Sequence, residues 1–104
     1  MQLTELKPNK SILDYLELAR LMFNSSETYT GLVEGGYISP CPTMITSSSI
    51  STIYYALKGD RVEANISYSA ASNPASPYGD PSARSEWLKS EVFRLTGIEL
   101  ALAI

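Results

Sequence analysis

The side chains that most often do chemistry are scarce in this chain, which has no histidine and a single cysteine, Cys41. Without imidazole the commonest general base and the commonest metal ligand are both missing, and one thiol cannot build a Cys/His cluster. Cys41 lies between Pro40 and Pro42, and a nucleophilic role would need a base that the sequence does not display. A packed or surface thiol is therefore expected. Carboxylates are the remaining route to acid–base or magnesium chemistry. Asp14 and Glu17 are three apart, so a helix makes them neighbours, but both fall opposite the apolar stripe, on a face expected to meet solvent. Asp80, Glu86 and Glu91 read as a helix cap and as surface partners of Lys89 and Arg94. Glu34-Gly35-Gly36 is followed by no lysine and no helix signal, so it does not resemble a phosphate loop, and no nucleophile elbow occurs. The expectation is a non-enzyme with no catalytic residue, no metal and no cofactor.

Tyrosine is the more suggestive inventory, with seven in a chain holding one Trp and two Phe. Tyr15 and Tyr68 fit core patterns. Tyr29, Tyr37 and Tyr78 sit beside glycine or proline, and Tyr54 shares the polar face of its element with Glu63. Tyrosine gives contact area at low entropy cost and is enriched where one protein grips another. Tyr29, Tyr37, Tyr54, Tyr78 and Glu63 are therefore the candidate partner-binding residues. The competing reading is that the tyrosines pack locally under loops.

These side chains need elements to position them, and the clearest pattern runs from Ser51 to Ser69. Val62, Ala64, Ile66 and Tyr68 alternate with polar residues, the period of a half-buried strand. Residues 51–57 are rich in β-branched and aromatic side chains, and Gly59-Asp60 suits a primed two-residue turn. A hairpin closed there sets Leu57, Tyr55 and Ile53 against Val62, Ala64 and Ile66 on the inner face, with Tyr54 pointing away. Helices are expected over about 12–24, with Ile12, Tyr15, Leu16, Ala19, Met22 and Phe23 as its apolar stripe and Ser11 or Asn9 as cap, and over about 81–96. The second has Asp80 as N-cap, Pro81 at its first position and Gly97 as its left-handed stop. Residues 25–46, punctuated by Gly31, Gly35, Gly36, Pro40 and Pro42, read as a loop with short extended pieces near 29–33 and 37–45. Residues 70–79 read as an irregular connection. The tail alternates Ile98, Leu100, Leu102 and Ile104 with Ala101 and Ala103, a strand apolar on both faces. The expected fold is α+β: one domain over 1–104, with a small, mostly antiparallel sheet (hairpin about 51–57/62–69, terminal strand 98–104) packed by two helices (about 12–24 and 81–96).

The bulk numbers bound the function. With 104 residues the chain holds one core. Eight basic and eleven acidic residues give a formal charge of −3, and the bases are scattered, which argues against direct nucleic-acid binding. No charge occurs from Gly35 through Leu57, but its prolines and Ser/Thr run exclude a membrane span. The N-terminus lacks the pattern of a secretory signal and one cysteine allows no internal disulfide, so a cytoplasmic location is expected. Asn24-Ser25-Ser26 and Asn65-Ile66-Ser67 match the glycosylation triplet by coincidence in a Ser-rich chain.

These features favour a small non-enzymatic module that docks on a macromolecular partner and inhibits or modulates it, in the manner of an inhibitor, an immunity protein or a phage or mobile-element anti-defence protein. The acidic balance suits a basic partner surface, such as that of a nucleic-acid enzyme. The alternatives are a structural subunit of a homo-oligomer, as small as a homodimer, or of a phage particle, and single-stranded nucleic-acid binding through an aromatic sheet face bearing Tyr54.

Overall fold

The computed structural model describes residues 12–103, and among them every regular element is a helix: α1 (Ile12–Met22), α2 (Ser25–Glu34), α3 (Ser47–Leu57), α4 (Arg61–Ala71) and α5 (Pro81–Thr96). No strand occurs among the described residues, so the expected α+β fold with an antiparallel sheet is corrected to an all-α one. None of these helices is long and apolar enough to cross a membrane. α5 spans the expected residues, with Asp80 Oδ1 accepting from the Ser82 and Ala83 amides at 3.0 and 3.2 Å and Gly97 closing the helix at φ +77°. Ser11, Asn9 and Ile104 lie outside the described residues.

The hairpin over 51–69 is two helices, and its turn explains the error. Gly59 has φ +79°, as a primed turn would require, yet its amide donates to the Ala56 carbonyl at 3.0 Å and the Asp60 amide to Tyr55 at 2.9 Å. Those two bonds are a Schellman closure of α3. Asp60 is then the N-cap of α4, accepting from the Glu63 amide at 3.1 Å, while Thr46 caps the other end of α3 by accepting from Ser49 at 3.3 Å. A glycine followed by a capping residue serves a helix–helix junction as well as a hairpin.

Alternation misled for a geometric reason. Every second residue of a helix lies about 200° further round, so residues four apart share a face. Ala64 and Tyr68 are buried with Ala71, while Val62 and Ile66 lie on the outer side, 69 % and 49 % exposed. On α3 the buried set is Ser49, Ile50, Thr52, Ile53, Tyr54 and Ala56, so Tyr54 is inside and Tyr55 and Leu57 are half-buried, the reverse of the strand expectation.

The chain groups into two compact units that meet between Pro40 and Cys41. In the second, α3 packs against both α4 and α5, and α4 against α5. The buried stripe of α5 is Arg84, Trp87, Leu88, Glu91 and Val92, and the Tyr68 and Ser85 hydroxyls join α4 to α5 at 2.6 Å. The tail pairs with no strand. The Ala101 amide donates to Asn65 Oδ1 at 3.0 Å and the Ala103 amide to Ser69 Oγ, two acceptors one turn apart on α4. Leu100 is buried and Leu102 is 61 % exposed.

In the first unit, Asn24 and Glu27 form a capping box at the start of α2: Asn24 Oδ1 accepts from the Glu27 amide at 2.8 Å, and Glu27 Oε1 from the Asn24 amide at 3.2 Å. The first helix therefore stops at Met22 rather than Asn24, and residues 29–33 are helical instead of extended. Gly36, at φ +74°, ends α2 with a second Schellman closure in which Tyr37 donates to Leu32 at 2.9 Å. A Cβ on Gly35 would strike the Tyr37 ring, which lies 6.0 Å from the Tyr15 ring. Tyr15 is 1 % exposed and its hydroxyl has no hydrogen-bond partner among the described residues. Burial, then the charges of Tyr37 and Glu34, push its pKa up to about 12.

A raised phenol favours the protonated, folded form, so its contribution is intact below pH 10 and is lost as pH rises towards about 12. Tyr15→Phe removes an unsatisfied buried hydroxyl and is expected to leave stability equal or higher at neutral pH. It should also flatten the alkaline fall between those values; urea melts across that pH range check both.

Candidate partner-binding surface

The element that organises the second unit's surface is a buried cation. Arg84 is the largest fully buried side chain, at 0 % exposure. Its position follows from phase, since 84, 87, 88, 91 and 92 form one helical stripe. Nε donates to the Ala71 carbonyl at 2.9 Å, and Nη1 donates to Met44 at 2.9 Å and to Tyr78 at 2.7 Å. The three acceptors come from the end of α4, the segment before α3 and the connection before α5. Ala71 is the last residue of α4, where carbonyl dipoles favour a positive charge. Nη2 has no partner.

This clamp draws the 72–80 connection against residues 43–44. The Asp80 amide donates to Thr43 Oγ1 at 2.7 Å. Gly79 has φ +65°, and a Cβ there would run into Thr43 Oγ1 and approach the Met44 amide to 3.0 Å. Only glycine meets both demands. Met44 and Tyr78 therefore stand side by side with their carbonyls on one nitrogen, while each residue is 56 % exposed. With Ile45, Thr46 and Ser47 they line a depression of about 330 Å³ at the start of α3. Cys41 is half-buried, and burial pushes its thiol pKa up against the opposing pull of the Thr43 backbone and Arg84. That is the reverse of what an activated nucleophile requires.

The expected partner-binding residues do not converge. Tyr78 is exposed on this rim. Tyr54 is 8 % exposed and takes a hydrogen bond from Lys58 Nζ at 3.2 Å, with its ring 5.2 Å from that of Tyr55. Tyr37 lies against Tyr15, and Tyr29 is half-buried on α2, both in the first unit. Glu63 is exposed in the first turn of α4. Asp14 and Glu17 are exposed on α1, and no group of three His, Cys, Asp or Glu placed to hold a metal occurs among the described residues. Arg84, Met44, Thr43 and Gly79 were not singled out from the sequence. The available signal was an arginine in phase with Trp87 and Leu88, where a helix facing a core carries an apolar residue.

Comparison with protein-family models, curated proteins and solved structures finds no match.

Lysine offers one nitrogen where Arg84 uses two, Nε for Ala71 and Nη1 for Met44 and Tyr78, so it cannot reproduce the fork. Arg84→Lys is therefore expected to lose about 3 kcal/mol of stability, from strained or missing bonds to buried carbonyls. Gly79→Ala should lose at least about 1 kcal/mol from the left-handed conformation alone. Chemical denaturation measures both, and a mutant midpoint equal to wild type would contradict the clamp.

Proposed function

We propose that the chain is a non-enzymatic binding protein that docks on a macromolecular partner through the Met44–Tyr78 rim and inhibits or modulates that partner. The observation that carries this reading is the attachment of both carbonyls to Arg84 Nη1, which fixes two exposed interface-type side chains on a rigid base. Tyr and Met are enriched at interface centres, and a rim that is already ordered gives up little entropy on binding. The formal charge of −3 suits a partner with a basic surface. A reducing, cytoplasmic setting accords with the single cysteine.

A second reading rests on a different face. Val62 and Ile66 are exposed one turn apart on α4 beside the docked tail, an apolar strip suited to self-association in a homo-oligomer. Stacking of nucleotides on an aromatic sheet is not carried forward, because the described residues hold no strand and Tyr54 is buried.

Immobilised chain should retain a stoichiometric protein from lysate of its source cells, and Tyr78→Ala should weaken that complex by about 2 kcal/mol, about thirtyfold, with an unchanged melting temperature. Absence of a stoichiometric partner at every salt concentration would sink the docking reading. Sedimentation addresses self-association: a dimer lost in Ile66→Lys supports it, and a monomer at micromolar concentration ends it.

A further inference from the structure

The tail leaves one backbone edge open. Acceptors one helical turn apart, about 6 Å, bind the amides of Ala101 and Ala103, which are about 6.7 Å apart in an extended chain. Asn65 and Ser69 thus hold the tail extended, and the Ser69 hydroxyl is itself oriented by donating to the Asn65 carbonyl at 2.9 Å. In an extended chain successive residues turn their N–H and C=O groups to opposite sides. Ala101 and Ala103 face α4, so Leu102 faces away, and neither of its backbone groups has a partner among the described residues. Leu100 has the same phase but is buried, which makes Leu102 the exposed point of the edge.

A groove runs beside that point. Leu102 lines a depression of about 600 Å³ with Ser72, Asp80, Ser85, Glu86 and Lys89. Lys89 also borders a neighbouring depression of about 480 Å³ that includes Phe93 and Glu99. Three carboxylates therefore flank one ammonium, and the Ser72 hydroxyl is buried without a partner among the described residues. None of these residues lines the Met44–Tyr78 depression.

We infer that this groove binds an extended basic peptide segment of a partner protein, which exchanges both backbone hydrogen bonds with Leu102 and places a Lys or Arg side chain beside Glu86. A residue pair directly opposed in antiparallel register exchanges two such bonds. Charge selects the occupant. A second copy's tail carries Glu99 and no base, so it does not complement the groove, whereas a cationic strand meets a carboxylate excess.

The test is amide NMR of the full chain with a blocked alternating Lys-Val peptide at low ionic strength. The Leu102 amide should shift and become slow to exchange, while Ala101 and Ala103, already bonded to α4, stay as they are. Leu102→Pro deletes the outward N–H, proline being tolerated at the edge of an extended segment, and should weaken binding about three- to tenfold, whereas Leu102→Ala keeps the bond. Should proline release the tail, seen as lost Ala103 protection, the pair Glu86→Lys and Glu99→Lys replaces it and should transfer preference to an alternating Glu-Val peptide. No response at Leu102, equal binding of both peptides by the wild type, or Leu102 protection that grows with protein concentration and no peptide would each overturn the proposal. The last would assign the edge to a second copy. Because Tyr78→Ala leaves this groove intact, failure of the rim reading and failure of this one are distinguishable.

Discussion

The guanidinium of Arg84 is the constraint on which the second unit's surface depends. An unpaired charge cannot be taken out of water cheaply, and this one is solvated by backbone: three carbonyl dipoles from three separate segments converge on two of its nitrogens. The consequence is mutual. The cation is tolerated because the segments come together, and the segments are held because the cation must be satisfied. Gly79 is needed for the same reason, since the connection passes so close to Thr43 and Met44 that no side chain fits.

From this clamp the surface follows. The 72–80 connection has no regular structure and few apolar residues, so left to itself it would sample many conformations. Pinned at Tyr78 and at Asp80, it instead holds Tyr78 and Met44 exposed at a set separation. The tail, in turn, is fixed by side chains of α4 and not by a neighbouring strand, which leaves a carboxylate-flanked edge beside α5. Both surfaces are backbone-defined.

Much of the local punctuation was legible in the sequence. Asp80-Pro81 and Gly97 bracket α5 as their chemistry demands, and of the apolar stripe of α1 Tyr15, Leu16 and Ala19 are buried while Met22 is exposed. What failed was the choice between two periods that the same residues satisfy. Val62, Ala64, Ile66 and Tyr68 alternate like a strand, yet on a helix they divide into two opposite pairs, and only packing against α3 and α5 selects the buried pair. Gly59-Asp60 was equally double in meaning. Asn24-Ser25-Ser26-Glu27 carries a capping-box pattern as well as a glycosylation triplet, and it is the capping box that starts α2. The site was less legible than the fold. A carbonyl-bound arginine leaves no motif, because its acceptors are backbone atoms that every residue type possesses.

The most direct measurement is NMR of the Arg84 guanidinium at neutral pH, including scalar couplings transmitted across its hydrogen bonds. The account predicts slowly exchanging Nε and Nη1 protons with couplings to the carbonyl carbons of Ala71, Met44 and Tyr78. A guanidinium that exchanges and rotates as freely as that of a surface arginine, with no such couplings, would contradict it.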